Sequence, residues 1–213
     1  MHRFFRHRTK TVFAKKKSQR LQSPNNRLLR NAKETLGGCD LEQAVQLPEN
    51  GNENEWIAHH IIDFRNKLAL FFGIVKGSCT KKRCPIMNAG INWQYCWVNN
   101  KKSKPQKMPA QTYILRLFKW VDNQINNESL FPNNPKKYPK KWKSKVSVPI
   151  IRRLFRVLGH IYHAHFQLIR EKGTEAHLNT LLIHFVYFAR EFSLLKSKDY
   201  LPMKNVIEQL CFK

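Results

Sequence analysis

The sequence predicts an all-α fold, a helical bundle with one small β-hairpin, and two observations carry that prediction. Apolar residues recur at helical spacing in four or five segments separated by short polar loops. Hydrophobic residues make up 42% of the 213-residue chain, enough for a core, and the eight Gly and ten Pro are too few for a low-complexity chain. We therefore predict one folded domain over residues 26–213, preceded by a flexible basic tail over residues 1–25.

The N-terminal region is strongly basic. Residues 1–33 contain eleven Lys and Arg and no acidic residue. Mitochondrial presequences have a similar composition, but this stretch is rich in Lys and has no clear apolar face, so a flexible tail is the preferred interpretation. A short helix is predicted over Asn26–Leu36, ended by Gly37 and Gly38, and Asp40–Pro48 is predicted as loop or extended chain.

The longer helices have ordinary start and stop signals. Asn54 opens a run of apolar residues at helical spacing, and Gly77 ends it. Gly173 interrupts the chain later on, and Thr174 is expected to cap the helix that follows. Phe131–Lys145 is rich in Pro and Lys and is predicted as a loop. The predicted helices are Asn54–Gly77, Pro109–Asn127, Ser147–Glu171, Thr174–Phe192 and Pro202–Cys211.

A small hairpin is predicted between the first two of these helices. Trp93, Tyr95 and Trp97 alternate with Asn92, Gln94 and Cys96, a period-two pattern typical of a strand. Asn99–Lys104 would form its turn, and the hairpin would end near Lys107. The segment just before it, Cys79–Pro85, is predicted as a tight basic loop.

Charge and cysteine content limit the partners and the compartment. The 39 Lys and Arg exceed the 14 Asp and Glu, which leaves a net charge of +25 and favours polyanionic partners such as nucleic acid or an anionic membrane. The apolar run Leu68–Val75 is too short to span a bilayer. An odd number of cysteines, five, and the lack of a recognisable secretory signal favour a reducing compartment.

A metal site is suggested by the residue types themselves. Cys79 and Cys84 flank a short loop, and His160, His163 and His165 lie on one predicted helix. Two Cys and two His suit tetrahedral zinc in a closed, structural site. His160 and His163 share a helix face, whereas His160 and His165 lie about 140° apart around the axis, so spacing favours the first pair. Two unrelated cysteines and a helix with three ordinary histidines are the alternative.

Several stretches of the chain, taken in order and in register over roughly residues 30–210, resemble one family. The strongest is Arg153-Leu154-Phe155-Arg156-Val157, followed by His160-Ile161-Tyr162-His163-Ala164-His165-Phe166. The others are Asn31–Gly37, Gln43–Val45, Leu47–Glu49, Asn54–Ala58, Cys84–Gly90, Glu128–Pro132, Glu175–Thr180 and Glu191–Phe192. Together they resemble the Mob kinase-activator (Mob/phocein) family, closest to the branch that works with NDR and LATS kinases. The resemblance implies a helical bundle of the Mob type.

The resemblance changes the choice of metal ligands. The family holds a structural Zn²⁺ ion through two Cys and the first and third His of the matching stretch. Carried over to this chain, the implied ligands are Cys79, Cys84, His160 and His165. His163 then becomes a packing residue or a residue that supports the ligands.

A basic trio is the first candidate binding surface. Arg152, Arg153 and Arg156 fall within about one turn of the predicted helix, and Arg suits bidentate recognition of phosphate. A solvated basic face is the alternative. The resemblance implies that these residues bind phosphothreonine segments of a phosphorylated, upstream Ste20-like kinase.

The second candidate surface is implied by the resemblance alone. In the family, an acidic and aromatic patch receives the basic N-terminal regulatory segment of the NDR/LATS-type kinase. The matching positions are Glu53, Glu55, Trp56 and His184. Taken without the resemblance, Trp56 is more often a core residue than an interface residue. The charge of +25 departs from the family pattern and would repel a basic segment at long range, although salt screens this beyond about 10 Å.

Two threonines match phosphorylation sites of the family. Thr35 lies in the matching Ala-x-x-Thr-Leu-Gly context, and Thr11 matches less closely in the basic tail. The resemblance implies that phosphate on these residues releases the tail and favours kinase binding. An unmodified helix-end residue and an unmodified tail residue are the alternative.

The sequence thus predicts a non-catalytic adaptor and co-activator of NDR/LATS-type kinases. It contains no triad, Gly-rich phosphate loop or paired carboxylates, and a closed site of two Cys and two His leaves no position for a reactive water. One alternative is a basic, zinc-stabilised nucleic-acid-binding module, with Trp93, Trp97 and Trp142 stacking on bases. Another is a diverged copy that has lost kinase activation. The predicted location is cytoplasmic, with the nucleus and anionic membranes as further places of contact.

Overall fold

The chain is mostly helical, as predicted, in a computed structural model that describes residues 40–98 and 103–211. Seven α-helices occur in these residues, three of them short. Two 3-10 turns, Pro135–Lys137 and Leu201–Met203, and a π-helical turn, Lys143–Ser147, complete the helical structure. The α-helices are α1 (Leu41–Ala44), α2 (Glu53–Val75), α3 (Ala110–Ile125), α4 (Val148–Glu171), α5 (Glu175–Glu191), α6 (Ser197–Tyr200) and α7 (Lys204–Cys211).

Helix α4 is the centre of the bundle, because it is buried on most of its surface and packs against α2, α3 and α5. Pro149 lies in its first turn, directly after the π-helical turn Lys143–Ser147. Its fully buried apolar side chains form one broad stripe at helical spacing, and the buried Arg153, Arg156 and His160 lie on another side of the helix. The apolar stripe includes Ile150, Ile151, Leu154, Val157, Leu158 and Ile161.

Aromatic packing joins α2 to α5 on the other side of the core. Phe64 of α2 lies 4.5 Å from Phe185 and 5.6 Å from Phe188, measured between ring centroids, and all three rings are fully buried. Burying a phenylalanine side chain stabilises the fold by about 1.5–3 kcal/mol. Leu178, Leu181 and Leu182 of α5 are buried as well, so one apolar side of the helix faces the core.

The predicted hairpin is not formed in the residues that the structure describes. Trp97 and Gln106 exchange two backbone hydrogen bonds of 2.8 Å, but this is an isolated bridge, as is the pairing of Asn88 with Gln94. The backbone of Met87 explains the difference, since its C=O accepts from Tyr95 and its N–H donates to Met108. The two sides of the predicted hairpin therefore pair at Trp97 and Gln106 only, because Tyr95 and Met108 pair with Met87 and not with each other. Most of the predicted turn, residues 99–102, lies outside the described residues.

Several predicted boundaries also differ. Asp40 caps α1 through its side chain, so part of the predicted Asp40–Pro48 loop is helical. Thr174 does not cap α5, because its hydroxyl group donates to the carbonyl oxygen of Ile169. The predicted last helix begins at Lys204, after α6 and a 3-10 turn. The tail over residues 1–25 and the short helix over 26–36 lie outside the described residues. None of the described helices is long and apolar enough to cross a membrane.

Candidate functional site

The two cysteines of the candidate metal centre are held by the loop that follows α2. Cys79 N–H donates to Val75 C=O at the end of the helix, and Cys84 N–H donates to Thr80 C=O at 2.8 Å. The Arg83 guanidinium group donates to the Ser78 hydroxyl group across the loop. The Cys84 C=O accepts from Ala110 N–H at the start of α3. The loop is thus fixed to two helices, and both thiols are buried.

The two histidines come from the middle of α4. His160 and His165 are fully or almost fully buried, and their ring centroids lie 5.2 Å apart. The Nδ1–H group of His160 donates to the Asn88 carbonyl oxygen at 2.8 Å. A carbonyl oxygen accepts only, so this contact fixes the proton on Nδ1 and leaves Nε2 as a ligand.

These four side chains form one compact cluster. The Cys79 Sγ atom lies 3.5 Å from His160 Nε2, and the Cys84 Sγ atom lies 3.5 Å from His165 Nε2. All four candidate ligand atoms lie within 4.8 Å of one another. The cluster could therefore hold a metal ion, and the structure brings together the four residues that the resemblance implied and not the pair that spacing favoured.

The electrostatics of the cluster agree with a cation site. Burial, with the neighbouring Cys84 thiol, raises the pKa of Cys79 to about 12. Burial lowers the pKa of His165 to about 4 and also lowers the pKa of His160, so both imidazoles are neutral at pH 7. Neutral imidazole is the form that binds metals, and a bound cation would offset the cost of burying thiolates.

The third histidine has a different role. The Nε2–H group of His163 donates to the Pro202 carbonyl oxygen at 2.8 Å, which ties α4 to the turn before α7. Its ring also lies against Gly90, which has φ of +86° and where a Cβ atom would come within 2.9 Å of His163 Nδ1. Gly159, next to His160, likewise allows Ala89 to approach α4 closely. These contacts place the Asn88 carbonyl group over His160.

The three predicted phosphate-binding arginines do not converge. Arg152 donates from Nε to an Asp199 carboxylate oxygen at 3.1 Å. Arg156 is buried, donates to the Tyr113 hydroxyl group and lies over the Tyr95 ring. Arg153 is only 3% exposed and lies between the Trp97 and Trp120 rings, at 4.8 and 4.3 Å from their centroids. Burial lowers the pKa of Arg153 to about 10, so it is still charged at neutral pH.

A small surface pocket lies where Arg152 and Arg156 face the segment before α7. Arg153 is not part of its lining. The cavity volume is about 20 Å³, and the lining combines aromatic and charged side chains. The lining residues are Trp93, Tyr95, Arg152, Phe155, Arg156, Lys198, Asp199 and Pro202. Neither Lys198 nor Asp199 was predicted from the sequence.

The predicted kinase-docking residues lie on two neighbouring helices, α2 and α5. Trp56 is half-buried, and its indole N–H donates to the Val45 carbonyl oxygen at 3.1 Å. His60, which the sequence did not single out, lies between Trp56 and His184, with centroid distances of 4.4 and 5.3 Å. Glu55 is exposed, and Glu53 forms an ion pair with Lys143.

Comparison with known proteins decides the family. A model described as the Mob1/phocein family matches residues 33–203, which include the metal cluster, the arginines and the residues around Trp56. The chain belongs to the Mob1/phocein family. Both the described fold and the match therefore agree with the resemblance seen in the sequence.

Mob relatives cover most or all of the chain. It is 41% identical over 176 residues to human MOB kinase activator 3A, which covers 82% of this chain and 81% of the relative. It is 38% identical over 212 residues to MOB kinase activator-like 1 homolog B of Dictyostelium discoideum, which covers 99% and 98% of the two chains. The relatives are named as activators of kinases, and the Mob chain described here is likewise not itself an enzyme.

Two groups of predicted residues stand apart from the site. Thr11 and Thr35 lie outside the described residues. Trp97 and Trp142 are buried, at 4% and 1% exposure, so their predicted stacking on nucleic-acid bases is wrong, since each ring face is covered by protein. Only Trp93 of that trio is partly exposed.

Proposed function

We propose that this Mob protein is a non-catalytic adaptor and co-activator of NDR/LATS-type serine/threonine kinases. Its membership of the Mob1/phocein family, over residues 33–203, carries the proposal. Relatives that span nearly the whole chain are named as kinase activators. The partly exposed surface around Trp56 supplies apolar area beside a carboxylate, which suits an amphipathic segment with basic residues.

We propose Zn²⁺ as the ion of the metal centre, and the cluster geometry supports it. A tetrahedral ion with Zn–S of about 2.3 Å and Zn–N of about 2.0–2.1 Å separates sulfur from nitrogen by about 3.5 Å. Both observed Sγ–Nε2 distances are 3.5 Å. Four protein ligands leave no open position, so the ion would join the α2 loop to α4 and have a structural role.

The kinase-docking surface is assigned to Glu53, Glu55, Trp56 and His184, from the family resemblance and their proximity in the structure. One local feature lowers the negative charge of this surface, because the Lys143 ammonium group pairs with Glu53. Lys140 and Lys141, which are exposed and lie close to Lys143 in the sequence, add further positive charge to this segment. The kinase segment that binds here is therefore expected to carry fewer basic residues than a segment that binds a more acidic surface.

The pocket beside Arg152 and Arg156 is assigned to a phosphothreonine segment of an upstream Ste20-like kinase. Arginine guanidinium groups donate several hydrogen bonds in a plane, and a phosphate group carries three acceptor oxygens. We retain phosphorylation of Thr11 and Thr35, a folded Mob domain over residues 26–213 and a cytoplasmic location as parts of the proposal.

Titration of a labelled N-terminal regulatory segment of an NDR/LATS-type kinase against the full chain tests the adaptor proposal. Micromolar or tighter binding at physiological salt is the expected result. Such a segment is basic, so non-specific attraction to a protein of charge +25 does not imitate a positive result. Glu55→Lys should weaken binding, because Glu55 is exposed and the charge of the surface is reversed.

The control is Glu128→Lys, which makes the same charge change at an exposed position in the turn after α3. It should leave binding unchanged. Trp56→Ala should abolish binding, but its indole N–H also holds the Val45 carbonyl group, so its melting temperature must be compared with that of the wild type. Absence of kinase binding, together with salt-sensitive binding to a control RNA, would instead support a Mob fold directed toward polyanions.

A further inference from the structure

The pocket at Arg152 contains a carboxylate of the protein itself, the side chain of Asp199. Asp199 accepts a hydrogen bond from Arg152 Nε at 3.1 Å, and the same carboxylate oxygen accepts from the backbone N–H of Lys196 at 3.0 Å. The side chains of Arg152 and Asp199 are 20% and 11% exposed, so the contact is largely shielded from water. Among the described residues that line the pocket, Asp199 is the only acid.

The pocket is too small for a phosphate group while this contact is made. A cavity volume of about 20 Å³ corresponds to roughly one water molecule. A phosphate group has three terminal oxygens and a charge of about −1.5 to −2. Two anions at one site repel each other, so the entering group competes with the Asp199 carboxylate for Arg152.

The cations of the pocket also differ from the trio that the sequence suggested. Arg153 lies between two indole rings and does not line the pocket. Lys198, next to Asp199 on α6, is exposed and does line it. An ammonium group on a flexible stem can follow an incoming anion, whereas the buried Arg156 is held by the Tyr113 hydroxyl group.

We propose that Asp199 is an internal competitor for Arg152 and that Lys198 is the third cation of the pocket, so that the pocket accepts phosphate and rejects carboxylates. A monoanionic carboxylate offers Arg152 nothing that Asp199 does not already supply. A phosphate group brings more charge and a third acceptor oxygen for Lys198. This inference rests on the proposed phosphothreonine-binding function and adds its selectivity.

Fluorescence polarisation with three peptides of one sequence tests the proposal. The central residue is phosphothreonine, threonine or glutamate, and the full-length protein is titrated at physiological salt. The wild type should bind only the phosphothreonine peptide. Asp199→Asn should bind that peptide about tenfold more tightly and should also bind the glutamate peptide, since the internal competitor has lost its charge.

The Asn side chain retains an oxygen that can accept from Lys196 N–H, so the start of α6 is kept. Asp199→Ser also offers an acceptor there and serves as a second variant if Asp199→Asn folds poorly. In the double variant Arg152→Gln/Asp199→Asn the tighter binding of the phosphothreonine peptide and the binding of the glutamate peptide should both disappear. Lys198→Gln should weaken phosphopeptide binding severalfold, whereas Lys196→Gln, the same change at an exposed lysine that does not line the pocket, should not.

The outcomes separate the inference from the function on which it rests. If the wild type binds the phosphothreonine peptide and neither Asp199 variant changes affinity or selectivity, the internal competitor is disproved and the phosphothreonine function remains. If no variant distinguishes the phosphothreonine peptide from the threonine peptide, both are disproved. Equal losses in Lys198→Gln and Lys196→Gln would show a general charge effect and remove Lys198 from the site.

Discussion

The two halves of α4 make an instructive comparison. The first half has three arginines within five residues, and the second half has three histidines within six. In each set one member turns to a structural contact while the other two face a site: Arg153 lies between indole rings, and His163 binds the Pro202 carbonyl oxygen. The histidine half meets a closed, buried loop, whereas the arginine half meets an open pocket that contains its own carboxylate.

The difference lies in what each half meets and not in the spacing along the helix. His160 and His165 converge because the Cys79–Cys84 loop is anchored to α2 and α3 and presents its thiols between them. Arg152 and Arg153 diverge because Asp199 lies on one side of the helix and Trp97 with Trp120 on the other. A helical spacing therefore limits which side chains can converge, and the segments packed against the helix select among them.

Removing a ligand of the histidine half should have the largest effect. If the cluster holds an ion, Cys84→Ser should remove it and lower the free energy of unfolding by more than about 4 kcal/mol, because the ion would join two distant segments of the core. Metal content by plasma mass spectrometry and thermal unfolding measure the two effects. Cys96→Ser is the matched control, since Cys96 is also buried but lies outside the cluster.

An equal loss of stability in Cys84→Ser and Cys96→Ser, with no metal in the wild-type protein, would contradict the metal assignment. The four residues would then be ordinary buried side chains. Loss of metal with an unchanged melting temperature would keep the site but remove its structural role.

Close packing behind the histidines should give the next largest effect. Gly90→Ala places a side chain at φ of +86° and within 2.9 Å of the His163 ring, so it should destabilise the protein by about 3 kcal/mol. Gly73→Ala on α2 is the control, because nothing lies within 4 Å of a Cβ atom there and alanine favours the helix by about 1 kcal/mol. Chemical denaturation measures both, and a similar loss in the two variants would exclude the proposed contact.

Much of this architecture could be predicted from the sequence, and the exceptions have identifiable causes. Periodicity located the long helices because their buried faces are apolar, as in α5 from Leu178 to Phe188. Spacing chose the wrong histidine pair because it ignores the rotamers and the loop that the ligands meet. Asn88 and Pro202 act through backbone carbonyl groups, for which a side-chain pattern gives no signal. The predicted hairpin is reduced to the Trp97–Gln106 bridge because Met87, distant in sequence from Met108, binds the backbone of both Tyr95 and Met108.

Variants of the two arginines should show that one mainly affects the stability of the fold and the other mainly affects phosphopeptide binding. Arg153→Ala should cost about 2–3 kcal/mol, because it leaves a cavity between two indole rings and removes both cation–π contacts. Arg152→Ala should cost less, about 1–1.5 kcal/mol, since it breaks one largely shielded ion pair whose carboxylate keeps its hydrogen bond from Lys196 N–H, but it should abolish phosphopeptide binding. Denaturant unfolding and peptide titration of both variants test this split. Similar stability losses would mean that the two arginines share one environment.

The acid sensitivity of the fold should arise partly outside α4, at His184. Burial lowers the pKa of His184 to about 4, with smaller contributions from the neighbouring His60 and from Lys67. Its folded-state pKa lies below the unfolded value, so the unfolded chain binds more protons between about pH 6.5 and pH 4, and stability falls as the pH falls through that window. The loss from this one group should be on the order of 2 kcal/mol.

His184→Phe removes this titration while keeping an aromatic ring beside Phe64 and His60. The difference in unfolding free energy between the variant and the wild type, measured from pH 7 to pH 4.5, isolates His184. Protonation of the metal ligands on α4 weakens both proteins equally and cancels in that difference. The variant should therefore gain relative stability as the pH falls. A difference that stays constant with pH would remove His184 from the acid response, which would then arise from other buried histidines, such as His60 beside it and His160 and His165 on α4.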